Sequence, residues 1–246
     1  MSQIRGLKSV GAGAAAPENP VQPVLPQIHE RSLPHLAKLE LRNAKFSSYR
    51  EMKAMIRLKY GNTNTFYIPG RTGGLLVDTD YAGTIYAFFK AIKDNRIAIK
   101  DIEYVIATHY HPDHMGLISE LMKQGVKLLL MDVQQNFVHF SDRIFEKDKL
   151  PYAPIDESSA TVISCAESRS FLARMGIAGE IIHTPSHSED SVSLMLDDGT
   201  CFVGDLEPYE YLQAYEENLP LKNDWTRLLA FHPTRILYAH APETHN

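Results

Sequence analysis

The chain has 246 residues, 44% hydrophobic and 22% charged, enough apolar material for one large domain or two small ones, and this composition excludes a fibrous or wholly disordered polymer. A formal net charge of -5, from 25 basic and 30 acidic residues, leaves no electrostatic footprint for nucleic acid. Two cysteines, Cys165 and Cys201, cannot build a disulfide framework, and no run approaches the roughly 20 apolar residues of a membrane span, so a reducing cytoplasm is expected.

Residues 1–35 combine Gly-Ala runs with Pro17, Pro20, Pro23, Pro26 and Pro34, a composition that reads as a flexible leader or an artificial extension. Residues 36–55 carry Leu36, Leu39, Leu41, Phe46, Tyr49 and Met52 without a regular period, so their packing is left open. A single domain is expected over 36–246, and the patterned text of its core begins at Ile56. A β-meander opens that core: Ile56–Tyr60 alternates, 62–65 turns, 66–68 resumes, and 73–80 ends in the acids Asp78 and Asp80. Ile85, Phe88, Phe89 and Ile92 have helical spacing, and the β-branched run 104–108 predicts a buried strand followed by a helix from Gly116. Residues 126–131 read as another buried strand. The aromatic, poorly periodic stretch 134–160 reads as an inserted cap or a helical connection. A helix over 168–175, a strand at 180–183, a hairpin over 191–205 about Asp197-Asp198-Gly199, a helix over 224–231 and a strand over 235–240 complete the pattern. Both cysteines are expected in apolar, strand-like surroundings as reduced thiols.

Within this frame, His109-Tyr110-His111-Pro112-Asp113-His114 places three imidazoles and a carboxylate in six positions at a strand-to-helix turn. In extended backbone His109 and His111 face one side, and the turn carries Asp113 and His114 to a second, adjacent position, so one loop can serve two metal ions. His187, Asp205 and His240 stand at three further strand ends. Neutral imidazole and carboxylate are ligands that zinc favours. His183 is a rival to His187, but its place inside a strand points to a structural role. Cys201 lies four residues before Asp205, about 13 Å along a strand, too far to share its metal.

The His-x-His-x-Asp-His run after a strand, together with Asp78, Thr184-Pro185-Ser186-His187, Gly204-Asp205 and His240, resembles the signature of the metallo-β-lactamase-fold hydrolases. That resemblance covers about 56–242 and implies an α/β fold, a four-layer αββα sandwich of two mixed β-sheets flanked by helices. It implies a first metal site of His109, His111 and His187, a second of Asp113, His114 and His240, Asp205 bridging the two, and Asp78 supporting the ligand loop. Ser186 departs from the glycine often found before the His187 position, which leaves the backbone of that loop to be determined.

Two Zn2+ per chain are expected, with Fe or Mn as substitutes, and the implied activity is hydrolysis of a small-molecule ester, lactone or phosphoester by a metal-bridging hydroxide oriented by Asp113. Tyr209 and Tyr211, just beyond Asp205, are candidate hydrogen-bond donors to a developing oxyanion. The separations between ligands, 78, 18 and 35 residues, leave no room for the long insertion of nucleic-acid-processing branches, and the six residues after His240 argue against a glyoxalase II proper. A small molecule is the expected partner, with no nucleic acid and no membrane, and a homodimer is compatible with the sequence. The alternatives are a mononuclear iron sulfur dioxygenase and a non-catalytic binding module on the same fold.

Overall fold

The computed structural model describes residues 54–214 and 217–245. The expectations for the leader at 1–35 and for nearly all of 36–55 fall outside the described residues. Two antiparallel pairings join β1 (Ile56–Leu58), β2 (Thr65–Ile68) and β3 (Gly74–Val77). The amphipathic helix α1 (Ile85–Asp94) then leads to β4 (Ile102–Ile106), which runs parallel to β3.

Where one helix from Gly116 is expected, two short ones form, α2 (Pro112–Met115) and α3 (Ile118–Lys123). Pro112 starts α2 inside the histidine cluster because its fixed φ suits a first helical turn. Gly116 separates the two where the chain at 80–82 crosses: a Cβ there would lie 2.3 Å from Ala82 N. The sheet continues with β5 (Lys127–Met131), and after α4 (Asp142–Lys147) it ends with β6 (Thr161–Ile163), both parallel to their neighbours. Cys165 is not in a strand as expected: it opens α5 (Cys165–Met175). The helix starts there because Ser164 N donates to Glu167 Oε2 at 2.9 Å, a cap that fixes the first turn.

The second sheet contains β7 (Gly179–His183), β8 (Val192–Leu196), β9 (Thr200–Gly204), β10 (Arg235–Tyr238) and β11 (Thr244–His245), in the order β11-β10-β9-β8-β7. Helix α6 (Leu219–Leu229) precedes β10, which pairs parallel to β9, so this sheet is mixed as the first one is.

Period-two alternation sets the layers. In β4 and β5, Val105, Leu128 and Leu130 pack outward with Phe88 and Ile92 of α1 and Leu121 of α3, joined by Ile102 across the register shift at the start of β4. Their neighbours Ile106, Leu129 and Met131 face inward and meet Leu194, Phe202 and Leu237 of the second sheet. On that sheet's far face Cys201, Val203 and Ile236 pack against Leu221, Trp225 and Leu228 of α6. Helix, sheet, sheet and helix make the four-layer αββα sandwich, an α/β fold of two mixed sheets. The 134–160 segment lends Val138, Phe145 and Ile155 to the outer core while Phe140 stays 72% exposed. Among the described residues, no helix is long and apolar enough to cross a membrane.

Candidate metal centre

The ligand loop is held in place before any cation binds. At the end of β3, Asp78 adopts a left-handed backbone (φ 58°), and its buried carboxylate accepts from Thr108 N at 2.6 Å and from Thr108 Oγ1 at 3.0 Å. That fixes the residue immediately before His109. The carbonyl of His114 accepts from Thr79 N and Thr79 Oγ1, and the carbonyl of Asp113 from Thr63 Oγ1 at 2.7 Å. The second sheet reaches the same loop through Val192 N, which donates to Thr108 O at 2.8 Å.

Close contact between the sheets depends on Gly204, at the end of β9 with φ 57°. A Cβ there would lie 2.4 Å from Thr108 Oγ1. Gly204→Ala is expected to destabilise the chain by about 2–3 kcal/mol, from left-handed strain and the clash with Thr108 together. A urea titration measures the loss; an unchanged midpoint would mean that the sheet ends separate freely.

The structure gathers all seven predicted ligands. His109 Nε2 lies 2.9 Å from His111 Nδ1, which lies 3.3 Å from His187 Nε2. On the adjacent side His240 Nε2 lies 3.3 Å from His114 Nε2 and 3.0 Å from Asp113 Oδ2. Asp205 stands between: its Oδ2 is 3.4 Å from His114 Nε2, 3.8 Å from His187 Nε2 and 3.9 Å from His109 Nε2, while its Oδ1 is 3.4 Å from His240 Nε2. Three ligand sets each lie within 4.8 Å: His109, His111 and His187; His109, His114 and Asp205; Asp113, His114 and His240. The outer ring nitrogens of three histidines face supports, Thr108 Oγ1 for His109, Asp78 Oδ2 for His114 and Asn62 O for His240, leaving Nε2 turned to the centre.

Burial, reinforced by the neighbouring imidazoles, holds His109 well below the usual histidine range. Burial also lowers His187, although Asp205 opposes it. Both are therefore neutral at pH 7. For His114, burial pulls downward, but the Asp78 and Asp205 carboxylates outweigh it and push the ring up to about 10, so a cation must displace a proton there. Asp205 is held below the usual carboxylate range because His114, His240 and His187 overcome the effect of its burial. Its Oδ1 is buried and accepts no hydrogen bond. Such an atom among imidazoles is costly unless a cation takes it, so these residues fit a divalent metal.

His183 is placed elsewhere: its Nε2 lies 2.7 Å from the Glu189 carbonyl and ties the 183–189 loop together. Tyr209 and Tyr211 sit in a 3-10 turn, 42% and 52% exposed, with the Tyr209 ring edge-on to Trp225. The backbone beside Ser186 is fixed by Asp224, whose buried Oδ2 accepts from Ser186 N at 2.8 Å. Two supports escape sequence reasoning. Gln134, fully buried, donates Nε2 to Ala107 O, Thr108 O and Asp190 O at 3.0–3.3 Å. Asp190 accepts from Tyr110 N at 2.7 Å and Ser188 Oγ at 2.7 Å, clamping the two loops that carry His111 and His187. Neither stands in a motif.

A family model described as the metallo-beta-lactamase superfamily matches residues 58–240, the span from β1 to the last ligand. The chain belongs to the metallo-beta-lactamase superfamily. Members of this superfamily are mostly metal-dependent hydrolases, and their fold binds divalent metals. A Beta-lactamase-like protein 2 homolog from Drosophila melanogaster is 26% identical over 181 residues, 72% of this chain and 58% of that protein. The homolog from Caenorhabditis elegans is 24% identical over 185 residues, 73% of this chain and 56% of that protein. This superfamily member thus spans a little over half the length of those relatives. Among solved structures, the metallo-beta-lactamase family protein TTHA1429 from Thermus thermophilus shares 19% identity at a TM-score of 0.55, over 78% of this chain and 73% of that one. TTHA1623, crystallised in a di-iron-bound form, shares 18% at a TM-score of 0.57, over 77% and 93%. Likeness at this identity establishes the shared fold alone.

Proposed function

We propose that the chain is a hydrolase that holds two divalent cations, two zinc ions by preference, and cleaves a small-molecule ester, lactone or phosphoester. The observation that carries this reading is the position of Asp205, whose two carboxylate oxygens face the histidines of both ligand sets. His109, His111 and His187 would hold one cation, Asp113, His114 and His240 the other, with Asp205 shared. Bound there, the cations would supply a water acidified from its bulk value toward about 7 and would polarise the scissile group.

The chain's own residues orient and move protons. Asp78, Thr108 and Asn62 fix the ring orientations that aim Nε2 inward. Asp113 is only partly buried, and its carboxylate can accept a hydrogen bond from an incoming water and hold it in line. Hydrolysis adds that water across the acyl or phosphoryl bond, and the released alcohol takes back one proton, so no covalent enzyme intermediate is needed. Tyr209 and Tyr211 are proposed as donors to the developing oxyanion. A cytoplasmic location, no nucleic-acid or membrane partner, a homodimer and a capping role for 134–160 belong to the same reading.

Metal analysis of protein purified without chelator, paired with a panel of lactone, thioester, carboxylic ester, phosphodiester, phosphotriester and β-lactam substrates, tests it. About two zinc per chain and hydrolysis lost at least 100-fold in folded His111→Ala are expected. One iron per chain with oxygen consumption would overturn the reading in favour of a dioxygenase.

A further inference from the structure

A cleft of about 360 Å³ opens beside the metal centre, and His111 belongs to both. One wall is aromatic, formed by Phe137 and Phe140 with ring centroids 6.4 Å apart. The 188–190 turn also lines the cleft, with Glu189 exposed and Asp190 buried. Wall and turn are tied to the same ligand loop, since Ser141 Oγ donates to Tyr110 O at 2.6 Å and Tyr110 N donates to Asp190 at 2.7 Å.

Three properties of this cleft select a ligand. At roughly 30 Å³ per water-sized group it holds on the order of twelve non-hydrogen atoms. Phe140, 72% exposed, and Phe137 present apolar rings to the space. Among the described residues lining the space, two are acidic and none is lysine or arginine. Away from the metal centre an anionic tail would find Glu189 and Asp190 and no lysine or arginine, whereas a neutral alkyl or aryl group would cover the aromatic wall.

We propose that the cleft binds a neutral, apolar acyl or aryl group of about eight to twelve atoms, which makes the substrate a hydrophobic one whose scissile bond lies at the metal centre. This rests on the hydrolase reading above. It places Phe140 as the determinant of chain-length preference and Glu189 as the residue that turns away anionic tails. The cleft side of His111 would then lie against the scissile end of the bound group.

The zinc-loaded protein is assayed with 4-nitrophenyl esters from acetyl to dodecanoyl, and binding of 4-phenylbutanamide, which needs no turnover, is measured by calorimetry. A rise in kcat/KM of about threefold per added methylene is expected, levelling near ten carbons. In Phe140→Ala the rise flattens and amide affinity falls about tenfold, with an unchanged circular dichroism spectrum. Hexanoyl is preferred over adipoyl ester at least tenfold, and Glu189→Gln narrows that gap. Ester hydrolysis with no dependence on chain length, and an amide indifferent to Phe140, would overturn the cleft assignment while leaving the hydrolase standing. Amide binding that depends on Phe140, with no ester, lactone or phosphoester cleaved, would keep the cleft and remove the hydrolase reading beneath it.

Discussion

Asp205→Asn is expected to reduce bound metal from about two to about one ion per chain and to lower turnover of any cleaved substrate about a thousandfold. The carboxylate lies within 4 Å of candidate ligand nitrogens from both sets, His109 and His187 on one side and His114 and His240 on the other. An amide keeps the shape but loses the charge, and its NH2 would turn a donor toward cations and imidazoles. A Lewis acid contributes several kcal/mol of charge stabilisation, and 1.36 kcal/mol is one decade of rate, which gives the thousandfold figure. Metal counting is decisive because it needs no substrate: two tightly held ions in the folded variant would mean that each triad closes by itself and that Asp205 does not bridge.

Asp205 could be singled out from the sequence, and the reason is physical. Asp205 and His240 come one or two residues after the apolar runs of β9 and β10, and His109 follows the run at 104–108, so the pattern announced where those strands end. The sandwich was an implication of the family resemblance, and alternation agrees with it where the strands are regular: Val105 and Ile106, and Leu128 and Leu129, face opposite layers. The break between α2 and α3 was not legible, because it follows from the chain at 80–82 crossing Gly116, a contact between segments more than thirty residues apart. β11 is two residues long and carries too little pattern to announce itself.

The supports were harder to read than the ligands. Gln134 and Asp190 act through backbone groups at 107–110 and 188–190, and backbone acceptors and donors leave no mark on the sequence of the partner. Ser186 shows the same difficulty in reverse. Its identity raised a doubt about the loop, yet the loop is set by Asp224 from α6, which holds the backbone N and would do the same for glycine.

Asp78 combines both kinds of role, and two substitutions separate them. Its carboxylate accepts from Thr108 N and Thr108 Oγ1 and faces His114 Nδ1 at 3.3 Å, all in a site closed to water. Asp78→Ala removes every acceptor, leaves a buried N–H without a partner, and places alanine at φ 58°, where a Cβ without a local hydrogen bond is strained. The expected loss is about 4 kcal/mol in a denaturant titration of the metal-free protein. Asp78→Asn keeps an oxygen for Thr108 N and tolerates the left-handed backbone, so a loss of only about 1 kcal/mol is expected. The negative charge opposite His114 disappears in both variants, and with it the support that raises the basicity of that ring as a ligand. Metal affinity is therefore expected to fall about 10- to 100-fold in the asparagine variant as well as in the alanine variant, despite their different stabilities. Competition with a chelator measures it. If affinity instead tracked stability, with the asparagine variant binding like the parent, Asp78 would serve the fold alone and the ring of His114 would be aimed by packing.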